Sequence, residues 1–83
     1  LVERLDERIK VRVDFSGGII KPLIFIRRGQ IHRITKINCR WIDREGTAKI
    51  YYFSVTSDSG DVYQIHFNTA DMTWHLDLVM MES

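Results

Sequence analysis

Phe25–Trp41 reads FIRRGQIHRITKINCRW, and the register of this stretch decides the fold. Arg28-Gly29 separates two apolar runs, which is the composition of a tight hairpin turn. After the turn, His32 and Ile34 share one phase, while Ile37, Cys39 and Trp41 share the other. Side chains alternate across a strand, so a regular strand cannot bury both sets. A bulge near Thr35-Lys36 reconciles them by adding one residue and bending the chain. Bent strands let a small sheet curl, so the stretch predicts a barrel.

The same period of two runs outward in both directions. Upstream, Ile9, Val11, Val13 and Phe15 alternate with Lys10, Arg12 and Asp14, and Ser16-Gly17-Gly18 ends the run. Ile19-Ile20-Lys21 leads through Pro22 into Leu23–Arg27. Proline has no amide to donate, which predicts a strand start or an edge there. Downstream, a polar turn around Gly46 precedes Tyr51, Phe53 and Val55. Ser57–Asp61 is a second strong turn, followed by Tyr63, Ile65 and Phe67. Asn68–Met72 turns again, and Trp74, Leu76, Leu78 and Met80 form the last apolar phase. Leu1–Glu7 reads as a loose or helical lead-in and Glu82-Ser83 as a loose end.

These signals predict one all-β domain over residues 1–83. It is a small SH3-like antiparallel barrel, or a strongly curled sheet, of five to six strands with a bulged third strand. Closure also hides the strand edges. Trp41, Tyr51, Phe53, Ile65, Phe67, Trp74 and Leu76 are the expected core. Matching apolar faces pairs Phe67 with Trp74, Ile65 with Leu76, Phe53 with Ile65 and Tyr51 with Phe67. On the third and fourth strands it pairs Trp41 with Tyr51 and Cys39 with Phe53. The opposite face then carries the rows Arg40–Tyr52–His66–His75 and Asn38–Ser54–Gln64–Asp77.

Composition narrows the function classes. An apolar content of 45% and a charged content of 28% are those of a folded globular chain. One cysteine, Cys39, excludes an intramolecular disulfide and a cysteine zinc cluster, and fits a reducing, cytoplasmic setting. No apolar run is long enough for a membrane-spanning helix, and the charged Leu1–Lys10 does not resemble a signal peptide. His66 and His75 with Asp77 nearby could bind a divalent metal, or be solvated surface residues. They lack a third strong ligand, a cysteine pair and a His-Glu motif, so no metal or cofactor is expected. No nucleophile motif appears and Cys39 falls on the core phase, so an enzyme is not expected.

The charge is uneven. From Arg8 to Arg40 nine basic residues stand against Asp14 alone, whereas the net charge of the whole chain is only +1. This is the footprint of a basic surface, with local neutralisation between interleaved halves as the competing reading. The chain reads as a non-enzymatic binding module with DNA or RNA as the leading partner. Arg27, Arg28, Arg33, Lys36 and Arg40 would supply a basic track and Tyr52 a stacking face. The alternative is a protein-interaction or homodimerising domain. It would use the off-phase Ile24, Ile26, Ile31, Ile42, Ile50, Val62 and Val79.

Phe25-x-x-Arg28-Gly29-x-x-His32-x-Ile34-x-x-Ile37-x-x-x-Trp41 resembles the opening of a small bacterial β-barrel domain family of unknown function. Gly60-x-x-Tyr63 and Trp74-x-Leu76 are similar to its later strands, and the resemblance covers about residues 22–80. Arg27, Gln30 and His32 depart from a tryptophan, a basic residue and a tyrosine of that pattern. Members occur near, or attached to, Y-family DNA polymerases. The resemblance implies a bacterial, cytoplasmic, DNA-linked setting, and it brings no activity with it.

Overall fold

Six strands run in simple meander order: β1 (Val2–Ser16), β2 (Ile19–Arg27), β3 (Gln30–Glu45), β4 (Ala48–Ser57), β5 (Val62–Asn68) and β6 (Thr73–Met80). All neighbours are antiparallel, and β6 pairs back to β1, so the sheet closes into a barrel. The computed structural model describes residues 1–81, and the expected loose end at 82–83 lies outside them. Two hairpins turn on residue pairs with positive φ, Gly17-Gly18 (58° and 76°) and Arg28-Gly29 (51° and 77°). That backbone twist matches the twist of the strands it joins.

Residues 1–7 are not a lead-in. Val2, Glu3 and Arg4 pair with Met80, Val79 and Leu78, and the Met81 amide donates to the Leu1 carbonyl. The charges disguised the strand, because a bulge at Leu5-Asp6, with Asp6 at φ 48°, breaks its alternation.

The barrel is two sheets sharing two corner strands. β1 pairs with β6 through Val2–Ile9, then with β2 through Lys10–Ser16. β3 pairs with β2 through Gln30–Arg33, then with β4 through Ile34–Glu45. Bulges make the corners possible. One falls at Thr35, as the sequence predicts, and a second at Asn38, which the sequence does not show. Pro22 lies inside β2 rather than at its start. It faces Val13 across a bulge at Leu23, in the part of β2 that has parted from β3.

Phe25, Phe53, Val55, Tyr63, Ile65, Phe67, Trp74, Leu76 and Ile9 fill the interior. Each fully buried large side chain stabilises the fold by about 1.5–3 kcal/mol. The pairs expected between β4 and β5, and between β5 and β6, are present: Phe53–Ile65, Tyr51–Phe67, Ile65–Leu76 and Phe67–Trp74.

The expected pairs between β3 and β4 are not. The bulge at Asn38 shifts the register by one, so Cys39 faces Ser54, Arg40 faces Phe53 and Trp41 faces Tyr52. Cys39 is therefore exposed, and Trp41 lies outside the core at 38% exposure. A bulge at Asp77 does the same on β6, where Val79 is buried while Met80 is exposed. Phe15, on the core phase of β1, stands at the open barrel end and is 60% exposed. Ile50, expected off the core phase, is buried outside the main cluster.

Candidate nucleic-acid interface

In a meander barrel, neighbours in sequence remain neighbours in space, so the strands that carry most of the basic residues lie side by side. β1, β2 and the first part of β3 form one wall, and the rest of β3 with β4–β6 forms the other. From Arg8 on, the outward positions of β1 are Arg8, Lys10, Arg12 and then Asp14, which faces Lys21, and all are exposed. Lys10 lies beside Ile26 and then Ile31, and Arg12 beside Ile24 and then Arg33. These residues line a shallow groove of about 520 Å³ with an aliphatic floor and a basic rim. None of the lining side chains is acidic, and none of Arg8, Lys10, Arg12 and Arg33 makes an ion pair among the described residues.

The six residues singled out from the sequence do not share one surface. Arg27 and Arg28 sit at the β2–β3 turn and both reach Glu7. Arg27 makes a two-toothed contact at 3.2 and 3.0 Å, half-buried on both sides. Its hydrogen bond holds the Glu7 carboxyl below its ordinary pKa, against the opposing effect of burial. This pair spans the gap that opens where β1 leaves β2. Arg33, Lys36 and Arg40 follow β3 instead, and Tyr52 stands behind them on β4.

A second gap opens on the other side of β2, where β3 leaves it. The Arg40 guanidinium crosses this gap, donates to the Ile20 carbonyl, and lies 5.7 Å from the centre of the Phe53 ring. Around it is a cleft of about 460 Å³ walled by Ile19, Ile20, Ile42, Tyr51, Trp41 and Tyr52. The cleft exists because β2 and β3 share only four residue pairs, Ile24–Arg33 to Arg27–Gln30.

Behind the cleft, a ladder of rings crosses the outer face. Trp41 stacks on Tyr52 (5.3 Å, 5° between planes), Tyr52 leans on His66 (5.1 Å), and His66 stacks on His75 (4.7 Å, 15°). Arg8 closes the row beside His75. The expected row thus holds from Tyr52 onward, with Trp41 in the place of Arg40. Burial, then His66 and Arg8, pushes the His75 imidazole below its usual pKa. Burial also raises the Tyr52 phenol, helped by the Asp77 charge. His66 Nδ1 lies 2.7 Å from an Asp77 oxygen, and Gln64 donates to the other oxygen at 3.1 Å. The ladder is tied together internally, and no group of three potential metal ligands converges among the described residues.

No family model matches this chain, no curated protein is similar to it, and no solved structure matches it.

Sequence reasoning missed Arg8, Lys10 and Arg12 as candidates. Their signal was the strict alternation with Ile9, Val11 and Val13, which puts all of them outside if those three point in. It missed Trp41 because a second bulge leaves no mark in the apolar pattern.

Proposed function

We propose that this chain is a non-enzymatic binding module that holds nucleic acid against the β1–β2–β3 wall. One observation carries the reading: Arg8, Lys10 and Arg12 occupy successive outward positions of one strand, with Arg33 across a groove that no acidic side chain lines, and Asp14 stands only beyond its end. Such a row attracts a polyanion and releases its counterions on binding. Six acidic side chains, Asp43, Glu45, Asp58, Asp61, Asp71 and Asp77, belong to the rest of β3, β4–β6 and their turns, while β1 itself carries Glu3, Asp6, Glu7 and Asp14, with Glu7 paired to Arg27. Small barrels that bind nucleic acid combine a basic track with accessible rings, and this one has both. The resemblance to a family found near DNA polymerases points the same way by association.

The test is an anisotropy titration of labelled single-stranded and duplex DNA over a range of salt, with Lys10→Glu/Arg12→Glu alongside. Affinity should fall linearly in log–log form with salt, by roughly 0.7 to 0.9 in slope for each phosphate contact. The double variant should bind far more weakly and show a shallower slope. Absence of binding by the unaltered protein at low salt would overturn the reading.

A second reading rests on Ile26 and Ile31, which sit side by side on the groove floor at 38% and 60% exposure. A protein partner, or a second copy, would cover them. Binding of that kind would vary little with salt and be abolished by Ile26→Asp.

A further inference from the structure

We infer that the β2–β3 cleft is a pocket for one unpaired nucleobase, with the indole of Trp41 as its stacking surface. The inference deepens the nucleic-acid reading and rests on it. In the ring ladder Trp41 is the end member: Tyr52 covers one face of the indole at 5.3 Å. On its other side β3 has no strand beside it there, and Trp41 lines the cleft. An indole face beside an aliphatic wall suits a flat, aromatic guest, and every nucleobase offers one.

The polar groups fit the rest of a nucleotide. Arg40 reaches into the cleft and spends one N–H on the Ile20 carbonyl. A guanidinium has five donors, so most remain for a base edge or a phosphate. The surroundings carry both signs: Lys21 on β2, facing Asp14, and Lys36 on β3 are exposed, and so is Asp43, two residues beyond Trp41. Lys36 leads back along β3 to Arg33 on the rim of the basic groove. From Arg33 to Trp41 the strand spans at most roughly 26 Å, so a short oligonucleotide could touch both. The volume of about 460 Å³ lies within the range of small-ligand pockets.

The pocket makes a distinction that the groove does not. Phosphates can be held in single strands and duplexes alike, but a base inside the stack of a duplex cannot enter the cleft. The protein should therefore prefer single strands, and Trp41 should be the source of the preference.

The experiment compares a labelled ten-residue dT strand, the matching rU strand and a duplex on the unaltered protein, Trp41→Ala, Trp41→Phe and Ile42→Trp. Ile42 lines the cleft and is 59% exposed, so a larger ring there fills the pocket without touching the core. Trp41→Ala and Ile42→Trp should each weaken single-strand binding about five- to a hundredfold. Duplex binding and the salt slope should stay as they are, and Trp41→Phe should recover most of the loss. Far-ultraviolet circular dichroism and urea midpoints will show that the variants are folded. Unchanged single-strand affinity in both Trp41→Ala and Ile42→Trp would overturn the pocket and leave the basic groove standing. A loss in these variants with none in Lys10→Glu/Arg12→Glu would keep the pocket and overturn the groove. Should Trp41→Ala instead dissociate a dimer seen by sedimentation, with nucleic-acid affinity unchanged, the cleft belongs to a second copy and the inference fails.

Discussion

β4 and β3 are paired neighbours and follow opposite rules. Over β4, buried Ile50, Phe53, Val55 and Ser57 are interspersed with half-buried residues, and β5 alternates without a break. β3, the longest strand at 16 residues, contains no buried residue at all. The difference lies in what each strand must do. β4 and β5 keep one unbroken register with each other, and the bulges opposite them lie on β3 and β6. β3 changes partner midway and bends at two bulges, so only His32, Ile34 and Ile37 pack against the core, and its other side chains serve an edge, a cleft and a basic border. The strand whose apolar pattern looked most diagnostic of a core is the one that forms the candidate site.

The largest effect that could break this comparison is a pair of truncations. Phe53→Ala should cost about 3–5 kcal/mol, because it empties a fully buried ring position, and a domain of this size has little margin to lose. Trp41→Ala should cost under about 1.5 kcal/mol, the scale of a stacked aromatic pair at the surface. Urea denaturation of both decides the matter, and equal losses would mean that Trp41 belongs to the core after all.

A smaller effect should appear at the gap between β1 and β2. Glu7 has its folded pKa lowered by Arg27. Its contribution is therefore complete above the ordinary carboxylate value of 4.5 and is lost as pH falls through the lower folded value. Glu7→Gln should lower stability at neutral pH by at most about 1 kcal/mol, since the pair is partly solvated. It should also flatten the acid limb of a plot of urea midpoint against pH. An acid limb as steep as that of the unaltered protein would mean that the pair does not hold the gap.

The smallest effect concerns the ring ladder. His75 has a folded pKa below the ordinary 6.5, chiefly through burial, so the folded state favours the neutral ring. Stability should be complete above 6.5 and should decline as pH drops toward the lowered folded value. His75→Phe should remove that shallow decline and leave the steeper carboxylate limb in place. A decline that survives the substitution would assign it to another group.

Much of the fold was legible because its signals are local. The turn pairs Gly17-Gly18 and Arg28-Gly29 announce themselves by residue type, and the registers of β4–β5 and β5–β6 follow from matching aromatic phases. Charge and alternation single out Arg33, Lys36, Arg40 and Tyr52, and these lie along the β3–β4 border. Arg27 and Arg28 carry the same charge but lie at the β2–β3 turn with Glu7, whose proximity depends on the β1–β2 gap. Trp41 went unrecognised because one added residue at Asn38 turns its side chain from the inside to the outside, and a polar residue in a strand does not reveal whether it is bulged.

By itself, the sequence determined a curled antiparallel sheet of five to six strands, most of its turns, the pairings of β4 with β5 and β5 with β6, and the unequal charge of the two halves. Alternation and turn chemistry are short-range properties, so they survive without knowledge of distant partners. Tertiary structure alone decided where strands change partners, hence the positions of the bulges at Leu5-Asp6, Leu23, Asn38 and Asp77. It also decided which faces of β3 and β6 meet the core, and that β2 stands apart from its neighbours over part of its length. The physical reason is closure: a short sheet that must curl into a ring has to bend its corner strands. The cheapest places to bend depend on what lies across the barrel, not on what comes next in the chain.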